Sequence, residues 1–186
     1  LNVGMVGMHG NYGPNILTNE CDLLIAIGMR FDDRVTGDPK TYAKQAKIIH
    51  LDIDPAEINK IIKVEVPIIG DCKESLKLIT EKIEKKSHEK WISNFDDLMK
   101  IEFDKVINSD LNPSKKGLTM GESIIAINEQ TKGDAIIVTD VGQHQMVACR
   151  YANFIQSKSN ITSGGLGTMG FALPAAMGAK MGAMNR

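Results

Sequence analysis

Short, unbroken apolar runs that stop at glycine or aspartate constrain this chain most. They are Asp22-Leu-Leu-Ile-Ala-Ile-Gly28, Lys47-Ile-Ile-His-Leu-Asp-Ile-Asp54, Val64-Glu-Val-Pro-Ile-Ile-Gly70 and Ala135-Ile-Ile-Val-Thr139. They carry little of the polar alternation of a half-exposed strand, and read as strands buried on both faces of a parallel sheet. Pro67 puts the third run at a sheet edge or at the start of its strand. Helical patterns fall between the runs, at Asn15–Asn19, Thr41–Gln45, Ala56–Lys60 and Lys73–Lys86, and later at Thr119–Gln130 and Gln145–Tyr151. In Lys73–Lys86 the apolar side chains Leu76, Ile79 and Ile83 share one face. Strands alternating with helices predict an α/β fold with Rossmann-like parallel sheets.

The character changes at His88. From there to Ile107, Trp91, Phe95, Leu98, Phe103 and Val106 recur at helical spacing, which predicts a long amphipathic helix covering the first layer. Asn108-Ser-Asp-Leu-Asn-Pro-Ser-Lys-Lys-Gly117 reads as a linker. The expected organisation is a first α/β domain over residues 1–85, a connecting helix and linker over 86–116, and the start of a second α/β domain over 117–186. The run at 135–139 then belongs to a different sheet from the first three. A net charge of −1 over 186 residues gives no electrostatic case for nucleic acid or an anionic membrane. Nothing approaches the roughly 18 apolar residues of a spanning helix. Cys21, Cys72 and Cys149 are widely spaced and form no metal-binding pattern, so free thiols in a reducing cytoplasm are expected. A chain that opens on Leu1 is expected to be a processed piece.

Two stretches carry chemistry. Gly28-Met-Arg-Phe-Asp-Asp-Arg-Val-Thr-Gly37 leaves the carboxyl end of the first strand, where ligands sit in open α/β sheets. Asp52 and Asp54 close the second strand and Asp71 the third. One such aspartate reads as an N-cap or turn residue. Three along one sheet edge read as a nucleotide site, with Arg30 and Arg34 able to clamp phosphate or carboxylate. The second stretch is Thr162-Ser-Gly-Gly-Leu-Gly-Thr-Met-Gly-Phe-Ala-Leu-Pro174, which leads into a small-residue helix. Its bland reading is a tight turn; its functional reading is a loop presenting free N–H groups to an anion at the helix N-terminus.

Read together with Thr139-Asp-Val-Gly-Gln-His-Gln-Met146, this loop resembles the start of the diphosphate-binding domain of thiamine diphosphate enzymes. Gly7-Met-His-Gly10, the Arg30–Gly37 run and Asp52-Ile-Asp-Pro-Ala-Glu-Ile58 are similar to the FAD-binding central domain of the acetolactate synthase large subunit. The resemblance implies contacts to a structural, redox-silent FAD from Val6, Gly7, Met8 and His9, from Gly28, Met29, Arg30, Phe31 and Asp32, and from Asp52, Ile53, Asp71 and Cys72. It sets Asp33 and Arg34 near the channel for the second 2-oxo acid. It gives the cofactor's diphosphate to Gln143 and His144 and the turn under its aminopyrimidine to Gly167, Thr168 and Met169, the methionine supporting the bent conformation. The family's metal motif, Gly-Asp-Gly with paired asparagines, is expected beyond Arg186, so Mg²⁺ is implied without a ligand in this chain. Val147 departs from the family, which usually has tryptophan there. The implied parent condenses pyruvate, after decarboxylation, with a second 2-oxo acid in branched-chain amino acid synthesis. It is a homodimer or larger, with a small regulatory subunit possible, and lies in the cytoplasm; this piece alone is expected to be inactive. The alternatives are another enzyme on the same scaffold (oxalyl-CoA decarboxylase, glyoxylate carboligase or pyruvate oxidase type) and a non-catalytic nucleotide-binding module.

Overall fold

The computed structural model of the chain describes residues 1–114 and 116–185. It separates into two compact units, Leu1–Glu102 and 103–186.

The first unit is built on strands β1 (Leu23–Ile27), β2 (Lys47–Asp52) and β3 (Val66–Ile69) in the order β1-β2-β3. Both pairings are parallel, with Ile25 opposite Ile49 and Leu51 opposite Ile68. Pro67 lies in edge strand β3, where a missing N–H costs least. Ala26 and Ile48 face one way and form the core with Phe31, Tyr42, Ala43 and Ile62. Helices α1 (Tyr12–Thr18), α2 (Asp33–Thr36), α3 (Cys72–Thr80) and α4 (Glu89–Glu102) complete the unit. The one-turn α2 interrupts what the sequence reads as a continuous polar loop, because the Asp32 carboxylate caps it by accepting the Arg34 N–H.

Helix α4 lies in the first unit, and Gly13 explains why. A side chain at Gly13 would meet Leu98 and Phe95 of α4 at 3.5 and 3.7 Å, so its bare Cα lets the two helices approach closely. The buried Glu102 carboxylate then accepts the Tyr12 N–H at 3.0 Å, at the α1 N-terminus where negative charge is favoured. The amphipathic pattern therefore stops serving one helix at Glu102: residues Phe103–Ile107 form a π-helical turn and Asn108–Leu111 the short α5. The linker reading at 108–117 thus begins in helix, and its Lys115 lies outside the described residues.

In the second unit, α6 (Met120–Thr131) precedes β4 (Ile137–Thr139), α7 (Gln143–Tyr151), β5 (Asn160–Thr162) and α8 (Ala172–Gly182). Strands β4 and β5 pair in parallel, in a sheet separate from the first. Helix α6 opens with a capping box: Thr119 accepts the Glu122 N–H while the Glu122 side chain accepts the Thr119 N–H.

Three helical readings are corrected. Residues 41–45 form turns, since Ala43 takes φ 45° and gives its N–H to the Asn19 side chain. Residues 55–59 also form turns, ended by Asn59 at φ 60°, whose side chain accepts the Val64 N–H. Helix α3 stops at Thr80, and Ile83 lies beyond it, exposed. Strand β5, with one apolar residue in three, was not anticipated.

Candidate functional site

Parallel strands send all their carboxyl ends to one edge, and main-chain bonds lock that edge together. The Gly28 N–H donates to Leu51 O at 2.8 Å, and the Gly70 N–H to Asp52 O at 3.0 Å. Gly28, Asp52 and Asp71 are thereby brought onto one rim. Gly28 has φ 61°, and a Cβ built there would meet nothing within 4 Å. Ile53 stands exposed beside it, a bare apolar side chain at the polar rim.

The loop after β1 turns at Phe31, which has φ 52°. Its ring is 2% exposed, edge-on to Tyr42 and His50 at 6.2 and 5.1 Å, so only its main chain is left for a ligand. Met29 likewise packs against the core. Arg30 and Asp32, on either side of Phe31, are joined by a 2.8 Å ion pair. The Arg30 guanidinium holds the Asp32 carboxyl below the usual carboxylate range. Arg34 and Asp33 are both well exposed and pair at 3.3 Å.

The N-terminal loop joins this rim through the Met8 N–H, which donates to Arg34 O at 2.8 Å. Asn15 brackets Gly7, accepting its N–H at 2.8 Å and donating to its carbonyl at 2.9 Å. That anchor escaped the sequence reading; the only available signal was an asparagine placed a helical turn after a glycine loop. Val6 is half-buried, Met8 is exposed, and His9 keeps a buried Nδ1 without a hydrogen-bond partner.

Each aspartate also has a local structural duty. Asp52 Oδ1 accepts the Asp54 N–H, Asp54 accepts the Ala56 N–H, and Asp71 caps α3 through the N–H groups of Lys73 and Glu74. Cys72 is the first residue of that helix and is half-buried. Buried His50 lies 3.7 Å from Asp52 Oδ2, too far for a hydrogen bond, and neither of its ring nitrogens has a hydrogen-bond partner.

In the second unit, α7 begins after Gly142 at φ 145°, and no side chain caps it. Gln143 and His144 are exposed on its first turn. Gln145 reaches back to the Thr162 hydroxyl at 2.7 Å, tying α7 to β5. The glycine loop departs from expectation. Ser163 accepts the Gly167 N–H through its carbonyl and the Thr168 N–H through its hydroxyl. Asp140 accepts the N–H of Gly170, through both carboxylate oxygens, and that of Ala172. A protein carboxylate thus holds the α8 N-terminus that the sequence reading offered to a ligand anion. The open helix end is that of α7. The loop still exposes a smooth surface: Cβ atoms built at Gly165, Gly167 and Gly170 would meet nothing within 4 Å, and Met169 is 80% exposed.

Comparison with known proteins agrees with both halves. Residues 1–79 match the thiamine pyrophosphate enzyme central domain, and residues 140–186 the thiamine pyrophosphate enzyme C-terminal TPP binding domain. The chain is 43% identical over 188 residues to the acetolactate synthase large subunit of Lactococcus lactis, which covers 100% of this chain and 32% of that protein. It is 45% identical over 192 residues to that of Corynebacterium glutamicum, covering 100% and 30%. To a probable acetolactate synthase large subunit of Methanocaldococcus jannaschii it is 44% identical over 186 residues, covering 97% and 31%. The chain belongs to the thiamine pyrophosphate enzymes, and over nearly its whole length it is similar to acetolactate synthase large subunits. It spans about a third of the length of these relatives. Among the described residues, no helix is long and apolar enough to cross a membrane.

The cofactors of such an enzyme fit the residues present. For a thiamine diphosphate, the uncapped α7 N-terminus supplies unpaired main-chain polarity, and the bare glycine surface leaves room for a ring. For a flavin nucleotide, the open Gly28 and the unpartnered His9 Nδ1 offer close approach and a polar contact.

Proposed function

We propose that the protein carrying this chain is a thiamine diphosphate-dependent acetolactate synthase. It decarboxylates pyruvate and joins the remaining two-carbon unit to pyruvate or 2-oxobutyrate, in branched-chain amino acid synthesis. The observation that carries this reading is the pairing of a strand-end rim rich in Arg and Asp with a Gly-Gln-His helix start and a Gly-Thr-Met turn, in that order on one chain.

Thiamine diphosphate, when bound, supplies the carbanion chemistry. Gln143 and His144 hold its diphosphate end beside the α7 N-terminus, where the helix dipole favours negative charge. Gly167 and Thr168 would let the aminopyrimidine approach the backbone, and Met169 would offer it a large, adaptable apolar side chain. Arg34, oriented by Asp33, receives the carboxylate of the second oxo acid; a guanidinium fixes its plane. FAD is held as a structural group by the rim of Gly28, Arg30, Asp52, Ile53 and Asp71, with loop residues 6–9 closing on it. Mg²⁺ is held by ligands elsewhere in the longer protein. That protein works as a homodimer or larger assembly in the cytoplasm, open to a small regulatory subunit.

The intact protein, supplied with pyruvate, thiamine diphosphate, Mg²⁺ and FAD, is expected to yield acetolactate, read as acetoin after acid decarboxylation. Pyruvate consumption that gives only acetaldehyde or acetyl phosphate would assign the chain to another reaction on this scaffold. No consumption and no affinity for thiamine diphosphate would leave a nucleotide-binding module.

A further inference from the structure

Asp140 lies just outside both cofactor-facing segments, three residues before Gln143 and hydrogen-bonded to Gly170, the residue after Met169. It follows β4 directly and stands two residues before Gly142, where α7 starts. Its carboxylate reaches a residue thirty positions later: Oδ1 and Oδ2 accept the Gly170 N–H at 3.0 and 2.9 Å. Oδ2 also receives the Ala172 N–H at 3.5 Å, and Oδ1 the Val141 N–H at 2.9 Å. Gly170 directly follows Met169, and the residue before Met169 is held by the Ser163 hydroxyl. The Met169 backbone is therefore pinned on both sides while its side chain stays in solvent.

We propose that Asp140 is a positioning residue that sets the spacing between the Gln143–His144 helix start and the Thr168–Met169 turn. This rests on the functional reading above, in which those segments receive opposite ends of one cofactor. One molecule would have to reach both segments, so a side chain that ties them decides whether both ends are gripped together. Positioning of this kind acts on the reaction without touching the reacting atoms. The bond set suits the task. Gly170 sits at φ 85°, a conformation a side chain would disfavour, and its N–H meets an ionised acceptor. The Val141 N–H first, then those of Ala172 and Gly170, and the nearby His144, hold the carboxyl below the usual carboxylate range, so the tie is ionised throughout the neutral range.

The test uses the intact protein carrying this chain, with Asp140→Ala and Asp140→Asn, and reads four quantities. They are thiamine diphosphate affinity, kcat at saturating cofactor, KM for pyruvate, and amide exchange across residues 163–172. Asp140→Ala is expected to weaken cofactor binding about tenfold or more, as loss of charge-assisted hydrogen bonds does. Its kcat should stay low at saturating cofactor with the pyruvate KM unchanged, and exchange at Gly170 and Ala172 should quicken. Asp140→Asn keeps one acceptor oxygen and should fall between the alanine variant and the wild type in affinity and exchange. Should the alanine variant not fold, the asparagine variant alone decides, because wild-type affinity and kcat in it would overturn the proposal. Faster exchange with unchanged cofactor affinity and kcat would also overturn it, leaving Asp140 a structural cap. A wild-type protein with no affinity for thiamine diphosphate would sink the functional reading itself, a result distinct from unchanged variants of a cofactor-binding protein.

Discussion

At Phe31 a bulky residue holds φ 52°, a conformation that costs of order 1–3 kcal/mol and is kept only where its surroundings enforce it. Here the enforcement is the ring's burial against Tyr42 and His50. The same turn puts Arg30 and Asp32 on the strand-end rim and leaves Arg34 in solvent with Asp33. The two arginines should therefore differ in kind. In the intact protein, Arg30→Ala is expected to weaken FAD retention roughly tenfold or more, and Arg34→Ala to raise KM for the second oxo acid with little flavin loss. Flavin absorbance retained after gel filtration separates them; equal loss in both variants would contradict the assignment. Tyr151 gives a second prediction. Burial first, then its 2.6 Å bond to Asp110, push its pKa up to about 12. An unfolded tyrosine titrates near about 10. The fold's preference for the neutral phenol is thus fully present below about pH 10 and lost as pH rises towards 12. Alkaline unfolding of Tyr151→Phe should lose that dependence, while its stability at neutral pH falls with the lost bond. At this scale the sequence shows residue types well and long-range partners poorly. Arg and Asp at strand ends announce an anion site, and the N-cap reading of a strand-end aspartate holds at Asp71, yet nothing in the sequence says that Asn15 pins Gly7 or that Asp140 reaches Gly170.

Helix α6 shows how local chemistry and packing meet in one element. Thr119 accepts the Glu122 N–H and donates its hydroxyl to the Asp110 carbonyl at 2.6 Å, while Gly121 leaves room for Tyr151 and Leu111, each 3.3 Å from where its Cβ would lie. Thr119→Ala removes the cap and should cost about 0.5–2 kcal/mol, read as a lower urea midpoint with an unchanged slope. An unchanged midpoint would mean that the tertiary contacts alone hold this helix end. The strands β1, β2 and β4 were legible as continuous apolar runs, although β1 is not buried on both faces as that pattern suggests, since Leu23, Ile25 and Ile27 are exposed. Asn160-Ile-Thr162 was not, because β5 is ordered through the Thr139–Thr162 and Gln145–Thr162 side-chain bonds rather than through apolar pattern. The turns at 41–45 and 55–59 fall where the composition of residues 41–45 and 56–60 allows helix; the deciding bonds come from Asn19 and Asn59, whose side chains bind main-chain groups in competition with helix.

Over the whole chain, the two-sheet organisation follows from the linker pattern at 108–117 and the change of motif across it, while the division at Glu102 depends on a tertiary contact, the bond from Tyr12, that no local pattern encodes. The chain also exposes apolar surface of a kind proteins usually cover. Leu23, Ile25 and Ile27 stand out from β1, and Leu173, Met177 and Met181 from α8, a helix with no buried residue. A helix apolar on all sides belongs in an interior. Leu166 and Met169, in the turn assigned to the aminopyrimidine, are 91% and 80% exposed. A ring lying on so open a surface stays hydrated, and proton transfers at it go to solvent rather than to a positioned acid or base, whose help is worth about 10²–10⁴ in rate. Gln143 and His144, proposed for the diphosphate end, stand in the same open setting. The 186-residue chain alone, given thiamine diphosphate, Mg²⁺, FAD and pyruvate, is therefore expected to bind cofactor only in the millimolar range or weaker, a binding free energy no more favourable than about −4 kcal/mol, and to make no acetolactate. Equilibrium dialysis measures the first quantity and a colorimetric acetoin assay the second. Sustained product above a no-protein control would show that these open surfaces close on the cofactor without any further chain, and that the enclosure argued for here comes from within these residues.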